Sequence, residues 1–169
     1  MKYLYYPGCS GGATGRPYEE SLLAVFKALE IPCAELEEWN CCGATAYMAI
    51  DEEKAFALAA RNLALAEKQN GKDPHQPAQL MAPCAACWLV LVKTQKYMKE
   101  FPAVRAEVNE SLAAAELQYR GKVAVRHPLD VLVNDIGLER VRAGVQRPLN
   151  GLRVACYYGC QLVRPFPVF

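Results

Sequence analysis

Three times in this chain a short stretch of strand character ends at cysteine and is followed by a helical pattern, and that recurrence constrains the fold more than any other feature. Residues 2–6 run into Pro7-Gly8-Cys9, residues 34–39 deliver Cys41-Cys42-Gly43, and Leu80, Met81 and Ala82 precede Pro83-Cys84. The aromatic and aliphatic runs read as strands broken by Pro and Gly. Between them, Leu22, Val25, Phe26 and Leu29 recur at helical spacing after Pro17, which suits a helix N-terminus. Asp51 is placed to cap a second helix carrying Phe56, Ala59, Ala60, Leu63 and Ala66, and Asn70-Gly71 supplies its stop. Residues 85–98 and 102–119 have helical length and composition, residues 122–126 read as a strand, and residues 129–136 as a further helical segment. Alternating strands and helices predict an α/β fold, Rossmann-like, with a mainly parallel sheet and flanking helices. In such folds ligands bind in the loops after the strands, so Cys9, Cys41, Cys42, Cys84 and Cys87 are expected to converge on one site.

Adjacent cysteines are poorly placed to bridge each other, whereas Cys84-Ala85-Ala86-Cys87 can chelate a single ion or one edge of a cluster. Clustered soft donors suit iron or zinc. Three chemistries fit: an iron–sulfur site, a tetrahedral zinc site, and a metal-free dithiol. Cys84 and Cys87 flank a predicted helix N-terminus, where unpaired amides and the helix dipole favour thiolates.

The chain has 169 residues, 53% of them hydrophobic, enough to bury a core without a metal to hold it together. Its net charge of +1 carries no basic stripe, which argues against nucleic acid as a partner. Eight cysteines in this length fall short of a disulfide scaffold. No signal peptide precedes the first strand, and no apolar stretch approaches the roughly 20 residues of a membrane span. The expected compartment is a reducing cytoplasm, with any membrane association made through partner subunits. The glycine-rich stretch 8–15 lacks both the lysine of a phosphate loop and the dinucleotide fingerprint.

In their order, Pro7-Gly8-Cys9, Cys41-Cys42-Gly43 and Cys84-Ala85-Ala86-Cys87 resemble the cysteine-rich CCG-domain family. That family is best known from the B subunit of heterodisulfide reductase and from related subunits of succinate or fumarate, lactate and glycolate oxidoreductases. The longer final gap falls in the 71–79 loop, which can lengthen at small entropic cost. Tyr157-Tyr158-Gly159-Cys160 looks like a second occurrence of Tyr5-Tyr6-Pro7-Gly8-Cys9, so the division expected is a first CCG domain at 1–148 and the truncated beginning of a second at 149–169.

The resemblance implies that Cys9, Cys41, Cys42, Cys84 and Cys87 bind a [4Fe-4S] cluster, of the noncubane type that uses a fifth thiolate. Zinc is the alternative guest, and an apo preparation would show the same positions as free thiols. Cys160 would open an incomplete second site. The function implied is an oxidoreductase subunit acting on sulfur groups, passing electrons from an iron–sulfur or flavin partner subunit to a disulfide substrate, and inactive alone if truncated. The runner-up is a zinc-binding or metal-free interaction module of an oxidoreductase complex.

Other residues read more plainly. Cys33 and Cys156 lie outside the matched positions and are expected to be small buried hydrophobes. His75 reads as solvated surface, and His127, after the strand at 122–126, as surface or as a proton donor beside the site. Trp39 and Trp88 should shield the thiols from water. Residues 152–163 are expected to form a strand at the sheet edge that leaves Val154, Tyr157, Tyr158 and Leu162 as an apolar patch, which copies of the chain would cover as a homo-oligomer.

Overall fold

The computed structural model describes residues 3–44, 46–71, 76–156 and 160–164. Four short strands, β1 (Tyr3–Tyr5), β2 (Cys33–Glu35), β3 (Ala78–Met81) and β4 (Val123–Arg126), form one sheet in the order β2-β1-β3-β4. All pairings are parallel, with Tyr3 opposite Cys33 on one side and Gln79 on the other, and Ala78 opposite Val123. The α/β architecture expected from the sequence is therefore the one observed.

Alternation along β1 divides the core. Leu4 and Tyr6 face one side with Leu80, against α4 (Glu52–Asn70), α5 (Ala85–Glu100) and α6 (Pro102–Ala113). Tyr3 and Tyr5 face the other with Met81, against Leu22 and Phe26 of α2 (Arg16–Ala28) and Val131. Helices cover both faces, which is why β1 is buried throughout and β3 at every residue but the half-buried Gln79. Of the shorter helices, α1 (Gly8–Gly11) follows β1 and α3 (Ala46–Ile50) precedes α4.

The α4 limits follow the sequence signals. Asp51 accepts a hydrogen bond from the Lys54 amide at 3.1 Å, two glutamates follow in the first turn, and Gly71 ends the helix at φ +26°. Past β4 come the single turn α7 (Pro128–Asp130), a π-helical turn at Val131–Ile136, and α8 (Leu138–Ala143). Arg126, paired with Asp130 and with Asp135 at 2.9 Å, ties that turn to the sheet, and Tyr3 donates to Asp135 at 2.6 Å.

Four expectations are corrected here. Strand β2 stops at Glu35: the Leu36 amide still bonds the Tyr5 carbonyl of β1 at 2.8 Å, but from Glu37 to Asn40 the backbone takes its hydrogen bonds from side chains of α4 instead of a neighbouring strand. Helix α6 ends at Ala113, with Glu116 in the left-handed region at φ +55° and the Tyr119 amide bonded to the Asn109 side chain at 2.9 Å. Leu117 and Tyr119 are core residues of a loop, which helical periodicity cannot distinguish. The strand expected within 152–163 is absent among its described residues. Residues 152–156 pair with no strand, and α9 (Cys160–Val163) packs on α5, placing Leu162 against the core. Cys156 is exposed, not buried. Tyr157, Tyr158 and His75 lie outside the described residues.

Candidate functional site

In this strand order the chain leaves β1 toward β2 on one side and reaches β3 on the other, so the loops after β1 and β3 diverge and open a crevice at their carboxyl ends. Cys9 lies in α1 directly after β1, Cys41 and Cys42 follow β2, and Cys84 caps α5 directly after β3. The sheet thus brings three loops, and all five cysteines, to one edge.

The thiols meet there as a connected chain. Cys42 and Cys87 stand sulfur to sulfur at 3.3 Å, both buried. Cys84 lies near enough to Cys87, and Cys9 near enough to Cys41 and Cys42, for each to shift its neighbour's protonation. Cys9 and Cys41 are exposed and Cys84 is half-buried, so the site has a buried floor and an open mouth. Among the described residues, no three His, Cys, Asp or Glu side chains are already splayed around a common centre as a metal ion would require.

Their protonation is unequal. The Cys87 thiol beside Cys84, and the Cys87 and Ala86 amides of the first helical turn, together outweigh burial and pull Cys84 down to about 5. Cys42 is lowered to about 7, chiefly by Cys87 and further by the Ala44 amide. Cys87, holding the proton between those two neighbours, is raised, so the helix N-terminus favours a thiolate at only one of its two cysteines. Cys9 is raised by burial and by Cys41. Cys33, at the opposite end of β2, is pushed up to about 11 by burial alone. Iodoacetamide at pH 6 is therefore expected to label Cys84 of the metal-free protein while Cys33 stays unmodified until the solution is strongly alkaline. Peptide mass spectrometry showing Cys33 modified first would reverse that order.

Two glycines let the backbone come this close. Gly8 adopts φ +68°, and a Cβ there would lie 3.0 Å from the Cys87 sulfur. Gly43, at φ +78°, would press a Cβ to 3.3 Å from the Ala55 backbone of α4. Tyr6 and Trp88 are fully buried beneath the thiols, and Trp39 meets the Tyr6 ring edge-on at 5.7 Å. Trp39 itself is only half-buried, its indole N–H donating to Glu35 at 3.0 Å.

His127 is not a proton donor to the site. It is buried, its Nε2 lies 3.1 Å from the Pro83 carbonyl, its Nδ1 accepts from the Leu129 amide at 3.3 Å, and burial lowers its pKa. With both nitrogens taken, it is a neutral tie between the end of β4 and the Pro83-Cys84 corner. Asn62 went unrecognised in the sequence. The available signal was an amide at a helical position between Ala59 and Ala66, on the apolar face of α4, where a polar group must have a partner.

A doubly wound parallel sheet with soft sulfur donors gathered at its ligand-binding edge defines a thiol-site domain. Residues 3–92 match the CCG cysteine-rich domain, and the chain belongs to that family. It is 30% identical over 164 residues to the 8-methylmenaquinol:fumarate reductase membrane anchor subunit of Wolinella succinogenes, covering 97% of this chain and 54% of that protein. It is 32% identical over 170 residues to a protein of Archaeoglobus profundus that is named as like the B subunit of heterodisulfide reductase, covering 100% and 54%. With the B subunit of the ferredoxin/F(420)H(2)-dependent CoB-CoM heterodisulfide reductase of Methanosarcina acetivorans the identity is 29% over 148 residues, 87% and 47%. The chain spans about half the length of these relatives. Among the described residues, no helix is long and apolar enough to cross a membrane.

Proposed function

We propose that this chain is an iron–sulfur-binding redox subunit resembling the B subunit of heterodisulfide reductase, with Cys9, Cys41, Cys42, Cys84 and Cys87 as its ligands. The observation that carries the reading is the meeting of five thiols from three separate loops at the ligand edge of the sheet. The donor set fits such a group. It is all sulfur, two of its members already favour the thiolate, and glycine stands where a side chain would crowd the sulfurs. A [4Fe-4S] cluster held there, noncubane if all five thiolates bind, supplies single electrons.

The chain's own residues divide the remaining work. Cys42 and Cys87 form a dry floor over Tyr6 and Trp88, and the exposed Cys9 and Cys41 side is the approach for a disulfide substrate. Partner subunits carrying iron–sulfur or flavin groups would supply the electrons, and one relative's name as a membrane anchor subunit supports membrane association through such partners. The exposed Leu149, Leu152 and Val154 form an apolar stretch suited to a second copy of the chain, in keeping with a homo-oligomer.

Anaerobic purification followed by iron, sulfide and zinc analysis tests the assignment. A brown protein with iron and acid-labile sulfide supports it; a colourless protein with stoichiometric zinc would replace it with a zinc-stabilised docking module. Light scattering on the same material should give more than one copy per particle, and a strict monomer would remove the oligomer.

A further inference from the structure

The segment carrying Cys41 and Cys42 leaves the sheet after Glu35, so its backbone groups must find partners elsewhere. One face of α4 provides them. Gln69 accepts from the Glu37 amide and donates to the Glu35 carbonyl, both at 2.9 Å, and Arg61 donates to the Glu38 carbonyl at 2.7 Å and to the Asn40 side chain at 2.9 Å. The tightest hold is on Asn40, immediately before Cys41. Its N–H donates to Asn62 Oδ1 at 2.9 Å, and its carbonyl accepts from Asn62 Nδ2 at 3.0 Å and from the Tyr6 hydroxyl at 2.7 Å. Asn62 Nδ2 also reaches the Leu58 carbonyl at 3.2 Å. The Asn40 side chain in turn donates to the Cys41 carbonyl at 2.8 Å.

Asn62 is completely buried among apolar residues of α4, a position where leucine would cost the helix less. Its amide holds both polar groups of one residue's backbone, which fixes the orientation as well as the position of that residue. From there Cys42 is delivered to 3.3 Å from Cys87.

We propose that Asn62 is the positioning residue of the thiol site: its side-chain amide sets where Cys41 and Cys42 stand relative to Cys84 and Cys87. The inference rests on those thiols being the ligand set. Its first test does not need a metal.

In the metal-free protein, at one alkaline pH high enough for Cys33 to react as well, the alkylation rate of Cys42 is measured relative to Cys33 by peptide mass spectrometry. A general loosening of the fold raises both rates and leaves their ratio unchanged. Loss of the clamp frees the loop and raises Cys42 alone. Asn62→Leu removes both bonds from its side chain to the Asn40 backbone, leaving that backbone the Tyr6 hydroxyl alone, and is expected to raise the ratio about tenfold or more. Asn62→Asp is isosteric and keeps the acceptor for the Asn40 N–H while losing the donor to its carbonyl; it should give a smaller rise. An unchanged ratio in Asn62→Asp overturns the proposal if Asn62→Leu fails to fold, and an unchanged ratio in a folded Asn62→Leu overturns it outright.

Cobalt(II) titration then joins the clamp to the site. Affinity read from the thiolate-to-cobalt absorption should fall about tenfold in Asn62→Leu. Wild-type protein that binds no cobalt counts against the metal reading while the alkylation ratio still judges Asn62. Wild-type affinity in a folded Asn62→Leu counts against the clamp.

Discussion

Cys42→Ser is expected to lower iron uptake on anaerobic reconstitution with ferrous iron and sulfide at least about tenfold, and Cys41→Ser to do the same, while Cys33→Ser stays near wild type. Serine offers a harder donor whose proton is far more difficult to remove, so a position that binds a soft metal as thiolate loses its ligand. At Cys42 the loss goes further. Its sulfur is buried against Cys87 and holds the centre of the thiol chain, so an oxygen there also removes the contact joining the Cys41-Cys42 loop to α5. Cys33 begins β2 and packs beside the α2-side core, at the far end of the strand from the loops. The readouts are iron and sulfide per chain and the visible charge-transfer absorption. Equal losses from all three substitutions would mean that the serines act through packing, and would sink the ligand assignment.

The contrast between Cys33 and Cys42 also shows which parts of this molecule can be read from its residues. Strands and helices announced themselves because apolar runs and helical spacing set burial locally, and the Asp51 and Gly71 caps mark α4 on chemistry that acts within a few residues. Once the strands are parallel, the position of each cysteine after a strand places it at one edge of the sheet, so the gathering of the thiols could be read too. What could not be read depends on contacts remote in sequence. The β2 extension gives way to a loop because side chains of α4, more than 20 positions later, satisfy its backbone. His127 looks like a candidate acid until the Pro83 carbonyl and the Leu129 amide are seen to occupy its ring. The expected edge strand near the C-terminus rested on likeness to residues 5–9, but a strand also needs a partner edge, and residues 152–156 have none. The inequality of Cys84 and Cys87 is likewise invisible in the motif. It arises because Cys87 has Cys42 as a second neighbour, from another loop.

Gly8→Ala should damage the site out of proportion to the fold. At φ +68° an alanine carries a backbone penalty of about 1–2 kcal/mol. In a chain of this size that corresponds to a melting temperature lower by roughly 2–8 °C, with the helical circular dichroism retained. The added methyl carbon, however, arrives 3.0 Å from the Cys87 sulfur, well inside ordinary contact. A flexible side-chain end elsewhere would swing away at small cost. Cys87 cannot do so without giving up Cys42 at 3.3 Å, the contact that holds the Cys41-Cys42 loop against α5, and shifting against Cys84 one turn before it. Iron uptake should therefore fall about tenfold while most of the fold's stability remains, as expected when a group supporting the ligands is displaced rather than the ligands themselves. Gly12→Ala is the control, since a Cβ there meets nothing within 4 Å and the backbone has φ −73°. If Gly8→Ala melts a few degrees lower yet loads iron like Gly12→Ala, Cys87 has room to move, and the close approach of the β1 loop is a feature of packing rather than of the site.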